Sequence, residues 1–349
     1  MPTSNHKDVN IYDIARILNV STATVSRALK NHPAVNKATR KKIVATARKM
    51  GYRPNNFASS LRSQKTNTIG VIIHELNSNF IISVLTGIEK VTAEAGYDII
   101  IAHSSETAAK EIANAHNLFY KRVDGLIASL AYDTENMKHF EPFFNKGVPV
   151  VFFDRVDEQT QGVKVVIDNV KAGATATEHL IRQGCRDIVH MTGNLQRNVY
   201  ADRLKGYKEA LLANGLPFRE DRVIVNDLSA GMAVEAARQI MDMHPRPDGL
   251  FVTNDFCASI CMQTLKEGGI KIPEDIAVVG FNNDIISTIV EPRLTTISYP
   301  GKEIGEVAAR HLVNQLNQGK KDSLTNKVIL SSRLIVRASS LKDPGALPA

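Results

Sequence analysis

The sequence predicts an all-α helix-turn-helix head joined to a larger, two-lobed α/β body. Three observations carry that prediction. The first 65 positions hold thirteen Lys and Arg against two acidic residues, Asp8 and Asp13, a formal charge of +11 within a chain of +7. The remaining 284 residues therefore sum to about −4. Second, that basic stretch places apolar residues at helical spacing in three short blocks. Third, from Thr68 onward apolar, β-rich runs alternate with amphipathic helical stretches, the pattern of parallel sheets covered on both faces. A basic head on a mildly acidic body points to nucleic acid as the partner of the head and to a different partner for the body.

In the head, Ile11, Ile14, Ala15 and Leu18 make one helical face, and Asn10 before them suits an N-cap because its side chain accepts an orphan backbone N–H. Asn19-Val20-Ser21 turns the chain, since Asn tolerates the left-handed conformation of a tight turn and Ser21 is placed to cap a second helix. That helix, from Thr22, turns Val25, Ala28 and Leu29 inward and Thr22, Ala23, Ser26 and Arg27 outward. Two short helices joined in this way describe a helix-turn-helix. A third helix over 37–50, capped by Asn36, sets Lys37, Arg40, Lys41, Lys42, Arg48 and Lys49 around Ile43, Val44 and Ala47.

The head resembles that of the lac-repressor family of bacterial transcription regulators. The matching elements are Asp13-Ile14-Ala15, Val20-Ser21, Thr24-Val25-Ser26-Arg27, Val35, Thr39-Arg40 and Gly51-Tyr52-Arg53-Pro54-Asn55. Asn19 stands where the family usually has Gly, and Asn36 where it usually has Ser; both still suit a turn or a cap. The resemblance implies that Thr22 and Ala23 lie where members read base edges and that Arg27 reaches a base or phosphate. Ser21, Tyr12, Asn31 and His32 would hold the DNA backbone. An Arg fork pairs with guanine for about 1–3 kcal/mol of discrimination, whereas Ala23 offers only a methyl. Sequence choice is then expected to lean on Thr22, Arg27 and DNA shape.

Residues 53–65 join head to body. Pro54 suits a helix start, but a helix of about two turns is unstable alone because nucleation costs more than so few bonds return. By the resemblance this hinge helix orders against its dimer mate in the minor groove, with Asn55 at the end of the matching motif and Leu61 as the wedge that opens the central base step.

In the body, strands are expected over 69–73, 97–102, 125–129, 148–153, 188–191, 223–225, 250–252 and 276–279, and helices over 80–95, 171–183, 200–214, 232–243 and 258–267. That many units suggests two subdomains. The body is similar to periplasmic sugar-binding proteins of type I. The resemblance divides the chain into a head over 1–52, a hinge over 53–65, a body over 66–340 and a tail over 341–349. It assigns lobe 1 to about 66–166 and 298–326, and lobe 2 to about 167–297 and 327–340.

Ligands of open α/β sheets sit beyond the carboxyl ends of the strands. Asp154, Asn254, Asp255 and Asn282 follow such strand ends, as does the segment carrying Arg197 and Arg203. The resemblance assigns effector contact to Asp154, Arg197, Asn254, Asp255 and Asn282, with Phe80 and Ile81 as an apolar wall. Carboxylate, amide and guanidinium groups beside such a wall suit a polyhydroxylated ligand such as a sugar, with a purine as the rival class. Most members have Asp where Asn282 stands, and the uncharged amide points toward a partly anionic effector.

Other classes are disfavoured. The polar amino terminus lacks the apolar region of a signal peptide, which argues against a transporter's solute receptor. No run of about 18 apolar residues predicts a membrane span. Cys185, Cys257 and Cys261 are too few and uneven for a disulfide framework, in keeping with a cytoplasmic location. None of the common catalytic, nucleotide-binding or zinc signatures occurs, so neither an enzyme nor a cofactor or metal is expected. The expected protein is a homodimer on a palindromic operator. The chain after Arg337 carries no leucine heptads, which argues against a terminal coiled coil and a tetramer.

Overall fold

Side-chain caps set the three helices of the head. In α1 (Ile11–Leu18) the Asn10 Oδ1 accepts the N–H groups of Tyr12 and Asp13, and the Asp13 carboxylate accepts the Asn10 N–H at 3.1 Å, a reciprocal capping box. Asn19 then ends α1 in the left-handed region, φ 51°. Ser21 caps α2 (Thr22–Leu29) and Asn36 caps α3 (Lys37–Lys49), through the N–H groups of Thr24 at 3.1 Å and Thr39 at 2.7 Å. Ile14, Ala15, Val25, Ala28, Val35, Ile43 and Ala47 form the head's core. Val44, expected beside Ile43 and Ala47, is 41% exposed; Ile43 and Ala47 share a face at i, i+4, and the next position is rotated about 100° away.

The structure, a computed structural model, describes residues 9–52, 65–318 and 327–342. The expected hinge residues Asn55 and Leu61 lie outside them. The chain divides into compact units between Thr66 and Asn67.

The body begins with β1 (Thr68–Ile73), α4 (Asn79–Glu94), β2 (Asp98–His103), α5 (Ala108–Tyr120), β3 (Gly125–Ala128), α6 (Glu141–Asn145), β4 (Val150–Phe153) and β5 (Val163–Ile167). There follow α7 (Asn169–Arg182), β6 (Ile188–Thr192), α8 (Asn198–Ala213), β7 (Val223–Val225), α9 (Ala230–Asp242), β8 (Gly249–Val252), α10 (Asp255–Glu267), β9 (Ala277–Asn282), α11 (Ile286–Ile289) and β10 (Thr295–Ser298). The chain closes with α12 (Gly301–Gln318), β11 (Lys327–Leu330) and β12 (Arg333–Ile335). One sheet has the order β11-β5-β4-β3-β1-β2 and is parallel throughout. The other, β12-β10-β9-β8-β6-β7, is parallel except where β12 runs antiparallel to β10. Each sheet anchors one lobe.

The expected lobe boundary is corrected at the last crossing. Residues 327–330, expected in lobe 2 with the rest of 327–340, pair in parallel with β5 of lobe 1, Lys327 opposite Lys164 and Leu330 opposite Ile167. Val328 and Leu330 pack on the core there. The open edge of the first sheet at β5 offers these apolar side chains a partner, so the last crossing falls at 331–332. The other two lie at 168 and at 299–300.

Two helix pairs flank the sheets at backbone contact. A Cβ on Gly305 of α12 would stand 2.0 Å from the Val84 carbonyl oxygen of α4, and one on Gly206 of α8 would stand 2.0 Å from that of Val170 on α7. No side chain larger than hydrogen fits either crossing. The apolar core that these pairs cover runs from lobe 1 into lobe 2 through residues such as Phe80, Tyr299 and Phe281. Strand carboxyl ends of both sheets thus face one another across the interlobe boundary.

Candidate functional sites: the head's recognition helix and the interlobe cleft

On α2, Ala23 and Arg27 are exposed, while Thr22 and Ser26 are half-buried. Tyr12, at the start of α1, is 70% exposed. The Ser21 hydroxyl is engaged by its cap and by a 2.8 Å hydrogen bond with the Thr24 hydroxyl. Asn31 is held left-handed at φ 56°, and its Oδ1 accepts from the Arg40 guanidinium. Arg40 also donates to the carbonyls of His32 and Val35, at 3.4 and 3.2 Å. The His32 Nδ1 accepts the Ala34 N–H at 3.2 Å. Arg40, expected on the basic surface, therefore staples the loop that follows α2 and presents Asn31 and His32. In its i, i+3/i+4 pattern it reads only as another surface cation, so this role was not visible locally.

In the body, Asp154 stands at the end of β4 with φ 57° and is 5% exposed. Its Oδ1 accepts the Tyr299 hydroxyl at 2.7 Å, and its carbonyl accepts the Asn198 amide at 3.1 Å. Burial pushes its carboxyl above the usual range, with Arg155 pulling the other way. Arg155 ion-pairs with Glu106 at 2.6 Å and donates to the Tyr200 hydroxyl at 3.0 Å. Its guanidinium lies 5.8 and 5.5 Å from the ring centres of Tyr132 and Tyr200.

Arg197 is the N-cap residue just before α8 and is 7% exposed. It donates to the Thr134 carbonyl of the other lobe, while its Nε has no partner. Arg203, 3% exposed, donates to the Asn169 Oδ1 and the Thr253 carbonyl at 2.9 and 3.1 Å and lies 3.6 Å above the Phe281 ring. Among the described residues neither guanidinium has a carboxylate within ion-pair distance, and burial lowers the pKa of both.

Asn282, at φ 110°, and Phe80 line an open hollow of about 680 Å³ together with Asn79, Ser83 and the start of α12. Three assigned residues do other work. Ile81 is fully buried in the core, one position round α4 from the ring of Phe80 that faces the hollow. Asn254 spends its Oδ1 on the Cys257 N–H as the N-cap of α10. Asp255 is fully buried; its oxygens accept the Asp284 N–H and the Thr296 hydroxyl, each at 2.7 Å, and brace the end of lobe 2. With no exposed surface and both oxygens engaged inside lobe 2, this carboxyl is spent on the fold.

The two lobes are strapped across this cleft. The Tyr132 hydroxyl accepts the Asn194 N–H at 2.7 Å and donates to the Asn226 carbonyl at 2.8 Å, and the Asn194 amide returns to the Tyr132 carbonyl at 2.8 Å. Tyr132 had no sequence signal, because its partners lie 62 and 94 positions away. Arg155 did have one, standing beside Asp154 at a strand end.

Comparison with known proteins joins these observations. The description "Bacterial regulatory proteins, lacI family" matches residues 10–55, and that of a periplasmic binding protein-like domain matches 177–340. Catabolite control protein A of Priestia megaterium is 35% identical over 317 residues, covering 90% of this chain and 95% of the relative. The transcriptional repressor PurR of Vibrio atlanticus (strain LGP32) is 31% identical, covering 88% of this chain and 91% of its own length. Among solved structures, the lac repressor dimer bound to operator and the anti-inducer ONPF superposes with a TM-score of 0.85 at 26% identity, covering 96% of this chain and all of that one. The transcriptional regulator CelR in complex with cellobiose gives 0.72 at 27% identity, covering 95% and 99%. A capped helix-turn-helix head, a two-lobed parallel α/β body and full-length relatives of the same organisation lead to one conclusion: this chain is a transcriptional regulator of the lacI family.

Proposed function

We propose that the chain acts as a homodimer that holds a palindromic operator through α2, and that a small acidic, polyhydroxylated effector in the interlobe cleft sets its grip. The observation that carries the effector class is the pair of buried guanidiniums, Arg197 and Arg203, neither with a carboxylate at ion-pair distance among the described residues. A buried cation is stabilised by an opposite charge, and Asp154 and Asn282 offer hydrogen-bonding groups for ligand hydroxyls. Sugar phosphates and sugar acids combine both features. The similar structures include a dimer on operator DNA and a complex with a disaccharide, which supports the class of partners. A purine is the second reading, favoured by the aromatic faces of Tyr132 and Tyr200 and by the PurR relatives.

Two heads reading half-sites about one helical turn apart imply a palindrome of roughly 14–18 base pairs. A coupling of about 1–3 kcal/mol between cleft and DNA is enough to switch occupancy. The segment 53–64 would transmit it as a hinge, with Asn55 and Leu61 at the minor groove.

Selection from a random duplex pool tests the head. A palindromic consensus is expected, and Arg27→Ala should weaken binding to it by about 1–3 kcal/mol with little loss on random DNA. Equal loss on both would place Arg27 on phosphate alone, and enrichment of no palindrome would overturn the reading. A thermal-shift series with neutral sugars, sugar phosphates, sugar acids and purines tests the cleft. Stabilisation by neutral sugars only, or a response that survives Arg197→Ala, would refute the acidic class.

A further inference from the structure

Tyr299 occupies the place where both lobes and a crossing segment meet. It follows β10 of lobe 2 directly and stands two positions before α12 of lobe 1. Its ring stacks on Phe80 of lobe 1, 4.2 Å between centres at 19°, and sets an edge against Phe281 of lobe 2 at 5.9 Å and 88°. The Arg203 guanidinium lies 5.6 Å from the ring centre. The hydroxyl donates to Asp154 at 2.7 Å. One side of the residue forms part of the wall of the 680 Å³ hollow, which Phe80, Asn282, Ser298 and Pro300 also line. The ring therefore stands between that hollow and the inner groups Asp154 and Arg203.

We propose that Tyr299 is a displaceable plug that sets which ligands reach Asp154: its phenol holds the acceptor a ligand hydroxyl needs, and a ligand arriving from the hollow takes that acceptor by swinging the ring off Phe80. The proposal rests on the cleft being the effector site. Two features make the ring movable rather than a fixed wall. Among the described residues its side chain makes one hydrogen bond, to Asp154. The space beside the ring is the open hollow. The backbone stays in place, its N–H on the Asn282 carbonyl at 3.3 Å and its carbonyl on the Gly301 N–H at 2.8 Å, so the ring alone turns.

Displacement has a consequence for signalling. Tyr299 follows the lobe 2 sheet and Asp154 ends a lobe 1 strand, so releasing the phenol removes one hydrogen-bonded tie between the lobes. A ligand changes a conformational equilibrium only through contacts that differ between the two arrangements. Exchange of the phenol for a ligand hydroxyl on Asp154 is such a difference. It selects ligands with a donor hydroxyl at one end and, beside Arg203, an acidic group at the other.

The test uses the full-length chain and isothermal titration calorimetry with D-glucose, glucose 6-phosphate, gluconate and hypoxanthine as probes, on wild type, Tyr299→Phe, Tyr299→Ala, Asp154→Asn and the Tyr299→Phe/Asp154→Asn double variant. Tyr299→Phe keeps the ring and its stacking, and thermal unfolding checks that it folds. The probe that binds wild type should bind Tyr299→Phe at least fivefold tighter, and that gain should vanish when Asp154 is Asn. A probe that binds Tyr299→Ala but not wild type also supports the plug. Equal or weaker binding by Tyr299→Phe, or a gain that persists with Asn at 154, overturns the plug while leaving the cleft reading intact. Binding of no probe to any of the proteins overturns both.

Discussion

Asp255→Asn is a perturbation whose outcome depends on pH in a way the structure fixes. Asp255 is fully buried, and burial pushes its carboxyl from 3.8 to about 8, with the Asp284 carboxylate adding to the rise and the Thr296 and Asp284 hydrogen bonds and Arg337 opposing it. Between those values the folded protein keeps a proton that the unfolded chain has released. The stability this group contributes is therefore complete below pH 4, declines as pH rises, and is gone above about pH 8. The steepest slope one proton can give is about 1.4 kcal/mol per pH unit, so between pH 5 and pH 7 the wild type loses up to roughly 2.7 kcal/mol from this site. Asn is isosteric and carries no charge. Its Oδ1 can accept the Asp284 N–H, and its amide can donate to the Thr296 hydroxyl, which has the Ile297 carbonyl at 3.4 Å as its own acceptor. Asp255→Asn should match or fall slightly below wild type at pH 5 and exceed it at pH 7. At roughly 2 °C per kcal/mol for a domain of this size, the melting-temperature difference should move by about 5 °C over that range. Thermal unfolding in buffers from pH 5 to 8 measures it. Curves for the two proteins that keep a constant separation would show that Asp255 holds no extra proton in the fold, and the brace would need another explanation.

The remaining predictions concern packing, the strap and the head. Gly305→Ala would drive a methyl into the Val84 carbonyl, so the α4–α12 crossing must open; a loss of about 3 kcal/mol or more is expected in denaturant unfolding, within the upper range for single substitutions. A loss below about 1 kcal/mol would mean that this helix pair slides freely. Tyr132→Phe removes the hydroxyl that links Asn194 and Asn226. Effector affinity should change while the head's affinity for non-specific DNA stays constant, and an unaltered calorimetric profile would remove the strap from the cleft's function. Arg40→Ala should loosen the Asn31–Val35 loop and weaken operator binding even at high salt, where a lost phosphate contact alone would matter little. If the loss disappears at high salt, Arg40 acts only as a surface cation.

Much of the head was legible because its determinants are local. Asn10, Ser21 and Asn36 each cap a helix through an N–H no more than three positions away. The alternation of apolar strands with helices likewise announced two parallel sheets, since a strand buried on both faces must be apolar throughout. Short edge strands were less visible. In β11, Lys327–Leu330, exposed and half-buried residues alternate, and nothing in those four residues says which sheet they join. Site residues divided in the same manner. Strand ends pointed alike to Asp154, Asn282, Asn254 and Asp255, and the fold uses the last two as a cap and a brace.

By itself the sequence determined the kind of molecule: a charge-polarised chain with a capped helix-turn-helix ahead of a doubly covered α/β body. Tertiary structure alone decided which polar groups remain available to a ligand and which are consumed within the fold. Tyr299 and Asp154 are 145 positions apart, and Thr296 and Asp255 are 41 apart. A side chain's hydrogen-bonding capacity is finite, so its availability depends on partners that only chain folding brings within 3 Å. Local pattern records the residue's chemistry, but it carries no information about which distant groups have already claimed it.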